Sequence, residues 1–226
     1  ELKVTNIGTR TAFTIEDYQI LYGYLRNYTK NISDEREIYN RKLIRDFILV
    51  QSNTGLRFGE CRFLKWHYVS VVKGENKYPN VHIRVPSEIS KVRKDRTAVG
   101  MRGDFFTRIR TYSNHTHSDD YIFSDMQTGK YLDKKVLYKM WHLIMKESGL
   151  EESLNDYTYY CLRHTFATYR LQYGKVDIRT LAKIMGCSVT YIEQHYDSAR
   201  VENMTDYITR GVNEKSKDAF GDVILR

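Results

Sequence analysis

The 226-residue sequence has only two prolines, Pro79 and Pro86. Proline breaks helix interiors, so its scarcity leaves long stretches of the chain free to form helices. No apolar run approaches the roughly 20 residues that a membrane-spanning helix needs, and no signal peptide is visible. The sequence therefore predicts a mainly α protein with a little sheet and excludes a membrane-spanning segment.

Cysteine is also sparse, with three residues (Cys61, Cys161 and Cys187) and no pair at CxxC spacing. An odd, scattered set argues against a disulfide framework and a zinc site, and it is typical of a reducing compartment. Paired carboxylates and histidine clusters at ligand spacing are absent too, and His115 and His117 are assigned to a polar loop. We expect neither a metal nor a cofactor.

Hydrophobic residues make up 41% of the chain and are interspersed with charge, which is the composition of a globular domain. Lysine and arginine outnumber aspartate and glutamate by 36 to 28, giving a net charge of +8. A positive surface attracts polyanions, although simple solubility is an equally ordinary reason for it. We expect one domain over residues 1–210 and a polar tail over 211–226. Because residue 1 is glutamate, an excised fragment of a longer protein is expected.

Apolar residues at helical spacing predict helices along most of the chain. A helix should start after Thr14, and Asn53-Thr54-Gly55 should end the next one. A short helix should then carry Arg57 and Glu60. The remaining helices are predicted over Asp104–Tyr112, Leu132–Ser148, Tyr157–Tyr173, Ile178–Met185, Thr190–Tyr196 and Val201–Thr209.

Short β-branched segments separated by turn-like residues predict three strands. They cover Tyr68–Val72, Val81–Val85 and Thr97–Met101. The second connection, Ser90–Asp95, is strongly basic. The sequence therefore predicts a small three-stranded antiparallel sheet with a positively charged turn.

Four separated segments require a common explanation. They are Thr54–Glu60 followed by Leu64 and Trp66, the basic turn Lys91–Arg96, the helix Tyr160–Thr168, and Leu181–Cys187 with Tyr196 nine residues later. Singly, each has an ordinary interpretation: a helix cap, a solvated hairpin tip or a core tyrosine. Their order and spacing resemble the motifs of tyrosine recombinases, the phage integrase family, from about Thr14 to Tyr196.

This resemblance implies a mainly α catalytic domain with a small three-stranded antiparallel sheet, acting on double-stranded DNA. It also implies a separate N-terminal DNA-binding domain that completes a C-shaped clamp, and a homo-oligomer that is tetrameric in synapsis. The implied activity is site-specific integration and excision of a mobile element or virus. The corresponding setting is the cytoplasm of a prokaryotic or archaeal host.

The chemistry of phosphodiester cleavage fits the residues at these positions. Negative charge develops on the non-bridging oxygens, and Arg57 and Arg163 can clamp those oxygens with bidentate hydrogen bonds. Tyr196 would attack phosphorus and hold the broken strand as a 3′-phosphotyrosine. Lys91 could protonate the departing 5′-oxygen. Lys94 and Arg96 compete for that role, and the spacing of the family favours Lys91.

Two positions depart from the family pattern. Tyr160 stands where the family has histidine or lysine, and Cys187 stands where it has histidine or tryptophan. Both are retained as catalytic candidates because a hydroxyl donates hydrogen bonds and a thiol does so weakly. Glu60 resembles the acidic residue that braces the site in the family, or is an ordinary surface glutamate. His164 is a second supporting candidate.

The remaining basic residues of the turn, Arg93, Lys94 and Arg96, are expected to bind DNA. Two other functions remain open. A type IB topoisomerase uses the same phosphoryl chemistry, and it would relax supercoils as a monomer. A degenerate recombinase would grip DNA without cutting it, and the substitutions at Tyr160 and Cys187 are the features that favour it.

Overall fold

A computed structural model describes residues 11–74, 77–152, 157–174 and 176–196, with the side chains of Glu152, His195 and Tyr196 outside that description. The α-helices in these ranges are α1 (Ile15–Arg26), α2 (Glu35–Thr54), α3 (Phe58–Arg62), α4 (Asp104–Arg110), α5 (Lys134–Glu147), α6 (Tyr159–Gln172), α7 (Ile178–Met185) and α8 (Val189–Tyr196). Short 3₁₀ turns occupy Trp66–Tyr68 and Leu150–Glu152. The mainly helical fold predicted from the sequence is confirmed.

The first two helices begin and end at residues whose local chemistry accounts for the boundary. The side chain of Thr14 accepts a hydrogen bond from the Asp17 amide at 3.0 Å, which caps α1. Asp34 caps α2 by accepting from the Glu37 amide at 2.7 Å. Gly55 then ends α2 with a left-handed backbone, φ = 64°, a conformation that glycine adopts without steric cost.

The strands β1 (Val69–Val72), β2 (Asn80–Val85) and β3 (Arg96–Gly100) form an antiparallel sheet in the order β1-β2-β3. Each boundary lies within one residue of the prediction. Val69 pairs with Ile83, and Val81 pairs with Gly100. Alternate residues of β2 are buried and exposed, so one face of the sheet packs on the helices and the other faces solvent.

The main hydrophobic core surrounds α2, and its aromatic side chains come from distant parts of the chain. Phe47 of α2 contacts Tyr159 of α6 edge-on, with ring centroids 5.5 Å apart. Trp141 of α5 lies 4.5 Å from the same tyrosine. Buried aromatic groups contribute large apolar areas and directional ring contacts, so this cluster fixes α2, α5 and α6 relative to one another.

A second, smaller core joins the last three described helices. It contains Phe166 from α6, Leu181 and Met185 from α7, and Ile192 from α8. These side chains are at most 4% exposed. The cluster therefore docks α8, whose last residue is Tyr196, against α6 and α7.

In the described ranges no helix is both long and apolar enough to cross a bilayer. The predicted helix Val201–Thr209, the tail over 211–226 and any preceding domain lie outside the described residues, so those expectations stay untested.

Candidate functional site

Arg57 lies at the junction of α2 and α3, directly after the turn made by Gly55. Its backbone amide donates to Glu60 Oε2 at 2.8 Å, and its Nη1 donates to Glu60 Oε1 at 2.9 Å. Its Nη2 donates to the carbonyl oxygen of Gly186 at 2.7 Å. The side chain keeps 17% of its area exposed, so it is oriented by the protein and still accessible to a ligand.

Arg163 lies in α6 and is almost fully buried, with 1% exposure. Its Nη1 donates to the carbonyl of Gly55, and its Nη2 donates to the carbonyl of Met185 at 2.7 Å. These two acceptors come from the end of α2 and the end of α7. Arg163 therefore ties together the two segments that also hold Arg57.

Glu60 is buried with 1% exposure, so it is not an ordinary surface glutamate. Arg96 at the start of β3 binds both of its oxygens, Nη1 at 2.9 Å and Nη2 at 2.6 Å. Burial alone would raise the pKa of Glu60, but the hydrogen bonds and charges of Arg96 and Arg57 outweigh it and lower that pKa. An ionised Glu60 is thus held between two arginines.

Arg96, predicted to bind DNA, lies at the start of β3 and not at the exposed tip of the hairpin. Its side chain is 8% exposed, and its Nε donates to the carbonyl of Ile184 at 3.0 Å. With Glu60 and Ile184 as partners, Arg96 braces the site from within. Its direct contact with DNA stays a prediction.

Three consecutive carbonyls at the end of α7 are each held by a different arginine. Ile184 accepts from Arg96, Met185 from Arg163, and Gly186 from Arg57. The last carbonyls of a helix lack partners within the helix and carry partial negative charge. The guanidinium groups satisfy them, and because Gly186 leads directly into Cys187, they also fix the start of the segment toward α8.

Cys187 follows this turn and is partly exposed. Burial raises the pKa of its thiol, and the positive charges of Arg163, Arg57 and Arg96 offset part of that rise. The thiol therefore lies within electrostatic reach of all three arginines and is protonated near neutral pH. A protonated thiol is a weak hydrogen-bond donor.

Tyr160 lies one helical turn before Arg163 in α6. Its hydroxyl contacts the hydroxyl of Tyr191, from α8, at 2.9 Å. Its ring packs edge-on against the buried ring of His164, with centroids 4.8 Å apart. Tyr191 was not among the residues predicted from the sequence. Its partner is 31 positions away along the chain, and no local pattern links the two.

The basic turn between β2 and β3 leaves Lys91, Arg93 and Lys94 exposed. Arg93 has a left-handed backbone, φ = 52°. The turn joins the end of β2 at Val85 to the start of β3 at Arg96. The exposed positions of the three side chains suit contact with a large polyanion, and their assigned roles stay predictions.

Tyr196 is the last residue of α8, and the position of its side chain is outside the described part. Its backbone position is four residues beyond Ile192. Ile192 is fully buried against α6 and α7.

Within the described ranges no cluster of histidine, cysteine or carboxylate side chains could hold a metal ion.

Comparisons with known proteins identify the family of this chain. A model of the phage integrase family matches residues 17–203. The tyrosine recombinase XerC of Caldanaerobacter subterraneus subsp. tengcongensis is 40% identical over 79 residues, which are 34% of this chain and 20% of XerC. The chain thus spans about a fifth of that relative's length.

Solved structures share the fold. The XerH site-specific recombinase in its pre-cleavage complex with difH is 21% identical, with a TM-score of 0.63 over 92% of this chain and 57% of XerH. The Tn1549 transposon integrase in complex with a circular intermediate DNA is 17% identical, with a TM-score of 0.61 over 92% of this chain and 68% of the integrase. Because the family match extends over most of the sequence and includes all four motif segments, the chain belongs to the phage integrase family of tyrosine recombinases.

Proposed function

We propose that this chain is the catalytic domain of a site-specific DNA recombinase that cleaves and rejoins strands through a 3′-phosphotyrosine at Tyr196. One observation carries the proposal: Arg57 and Arg163 donate to the adjacent carbonyls of Gly186 and Met185. Two guanidinium groups from distant segments therefore meet at one turn, which supports their binding one phosphate together. The turn that they hold leads into the helix ending at Tyr196.

The arginines would supply the charge that the reaction needs. Attack on phosphorus adds negative charge to the non-bridging oxygens, and donors already in place stabilise that charge without reorganising. A guanidinium carries five N–H donors in a fixed plane, so the contacts of Arg57 with Glu60 and Gly186 leave it further donors for a phosphate. Glu60 and Arg96 would keep Arg57 in this orientation.

Tyr196 and Lys91 would carry out the bond exchange. The phenol of Tyr196 loses its proton to solvent water, and its oxygen forms a bond to phosphorus as the bond from phosphorus to the 5′-oxygen breaks. Lys91 donates the proton that the leaving oxygen requires and regains one from solvent. Attack by a 5′-hydroxyl on the phosphotyrosine reverses these steps and reseals the strand. The bond energy is conserved in the intermediate, so the groups named here are sufficient without a nucleotide cofactor.

The comparison structures support duplex DNA as the partner, since XerH is bound to difH and the Tn1549 integrase to a circular intermediate DNA. The net charge of +8 is consistent with such a partner. By analogy we propose that the active form is a homo-oligomer, tetrameric in synapsis. Integration or excision of a mobile element or virus is the corresponding biological role.

The decisive experiment is adduct formation on a nicked suicide substrate made from the element's own end sequence. The wild-type chain should become covalently attached, and mass spectrometry should place the DNA on Tyr196. Tyr196→Phe should form no adduct, whereas Tyr173→Phe, an exposed tyrosine on α6's C-terminal side, should behave as wild type. An adduct that survives Tyr196→Phe would sink the proposal.

The same assay separates the two other functions. Salt-sensitive binding without an adduct at any pH would favour a non-cleaving DNA-binding homologue. Relaxation of supercoiled DNA by a monomer, with no recombinant product, would favour a type IB topoisomerase.

A further inference from the structure

The hydroxyl groups of Tyr160 and Tyr191 form a pair whose function the residue assignments above do not explain. They lie 2.9 Å apart, and they come from α6 and α8, the helices that carry Arg163 and Tyr196. Both side chains are only partly buried. The hydroxyl pair therefore joins the two helices that carry Arg163 and Tyr196, and it remains accessible from solvent.

The environment of Tyr191 shows that this pair belongs to the arginine cluster. Burial and, to a smaller extent, the hydrogen bond with Tyr160 together raise the pKa of Tyr191 to about 12, and the positive charge of Arg163 opposes that rise. Tyr191 therefore remains protonated at neutral pH. Either hydroxyl of the pair can be the donor in the 2.9 Å contact.

Tyr160 in turn is placed to face the same ligand as Arg163. The two residues are three positions apart in α6, and side chains at this spacing lie on one helix face. A hydroxyl that accepts a hydrogen bond becomes a better donor, since chains of hydrogen bonds polarise one another. Its rotation is restricted as well, because the accepted bond fixes the direction of its lone pairs.

We propose that Tyr160 and Tyr191 work as one hydrogen-bonding unit, in which Tyr191 orients the Tyr160 hydroxyl to donate to a non-bridging oxygen of the scissile phosphate. The inference rests on the proposed strand-cleavage function and extends it to Tyr191. In this unit Tyr160 touches the substrate and Tyr191 is a positioning residue. Two tyrosines together thus do the work of the single histidine or lysine that the family has at position 160.

The main rival interpretation is that Tyr191 itself attacks phosphorus. A phenol with a raised pKa is a poor nucleophile because little phenolate is present near neutral pH. The rival also predicts an adduct on a different peptide, so one experiment distinguishes the two.

The test compares Tyr160→Phe, Tyr191→Phe and the double variant in single-turnover adduct formation on the suicide substrate. Each single change removes one hydroxyl from a two-hydroxyl unit, so each should slow adduct formation by about tenfold, the effect of one lost hydrogen bond. The double variant should be no slower than the slower single variant. Tyr169→Phe is the matched control, because Tyr169 also lies in α6 and its hydroxyl donates to the Phe13 carbonyl at 3.4 Å.

Two further readouts separate positioning from a purely structural role. DNA affinity should change less than about twofold in all variants, and each melting temperature should shift no more than in Tyr169→Phe. A Tyr191→Phe variant that cuts at the wild-type rate overturns the inference, as does a double variant whose loss is the product of the single losses. DNA attached to Tyr191 overturns it as well. If the wild-type chain forms no adduct, both the proposed function and this inference are wrong. If the wild-type chain cleaves DNA and Tyr191→Phe cleaves at the same rate, only the inference is wrong.

Discussion

The ring of Phe166 in α6 lies next to the Cα atom of Gly55, the residue that ends α2. A β-carbon added to Gly55 would come 2.9 Å from Cε1 of this ring and closer still to Cδ1. The backbone carbonyl of Gly55 is also an acceptor for Arg163. Glycine at this position thus allows the helix end, the small core and a candidate catalytic arginine to meet.

Gly55→Ala should destabilise the protein by on the order of 3 kcal/mol, from the left-handed backbone and the collision with Phe166. Gly23→Ala is the control, because Gly23 lies within α1 and nothing is within 4 Å of an added β-carbon. That change should stabilise the protein by about 0.5–1 kcal/mol. Urea unfolding measures both, and equal effects of the two substitutions would contradict the packing argument.

Glu60→Gln should lower stability at neutral pH by about 3 kcal/mol, since it removes one partner of a buried ion pair. The pKa of Glu60 is lowered in the folded state, so its stabilising effect is complete above the ordinary glutamate pKa and disappears as pH falls through the folded value. Wild type should therefore lose stability below about pH 4.5, and Glu60→Gln should lose less over the same range. Glu88→Gln, an exposed change, should follow wild type at every pH.

Cys187 should be the cysteine that an alkylating reagent modifies in the native protein, because Cys61 and Cys161 are fully buried. Burial raises the pKa of the Cys187 thiol above its ordinary value, and the thiolate is the reactive form. The alkylation rate should therefore rise with pH to a midpoint above about 8.5. Mass spectrometry across a pH series measures this, with Cys187→Ser as the unlabelled control. A midpoint on the acidic side would contradict the burial argument.

The double substitution of Arg93 and Lys94 by alanine should weaken DNA binding and reduce its dependence on salt. If both side chains contact phosphates, the slope of log affinity against log salt should decrease by about 0.9 for each. Lys139→Ala, an exposed change in α5, should leave the slope unchanged. Arg96→Ala should instead lower the melting temperature, because it leaves Glu60 without its partner in β3. An unchanged slope in the double variant would remove the turn from the DNA interface.

Features determined by neighbouring residues could be read from the sequence. The alternation of Val81, Ile83 and Val85 with polar residues predicted β2, and Thr14 and Gly55 marked a helix start and a helix end. Each of these signals depends on the chain within a few positions. Arg57 and Arg163 could be named as candidates because their segments resemble the motifs of the phage integrase family, and their catalytic roles stay predictions.

Features determined by distant contacts could not be predicted from the sequence. Arg96 belongs to a basic run and was assigned to DNA, yet its partner Glu60 lies 36 positions earlier. The sequence also left open whether Glu60 is buried, because the ion pair with Arg96 that accompanies its burial depends on the same distant contact. Tyr191 was missed for the corresponding reason, since only tertiary packing brings α8 to Tyr160. Pairings of this kind depend on how the helices pack and have no signature in local spacing.

The three arginines that hold the end of α7 have a consequence for comparing this chain with its relatives. Because Arg57, Arg96 and Arg163 each donate to a carbonyl at the end of α7, losing one of them would disturb this turn as well as the candidate phosphate site. Selection for a stable domain would therefore favour keeping them even in a descendant that had stopped cutting DNA. Lys91, exposed in the hairpin, carries no comparable structural duty among the described residues, so, if Lys91 is the proposed proton donor, its loss would be an early mark of a lineage that had become an inactive pseudoenzyme.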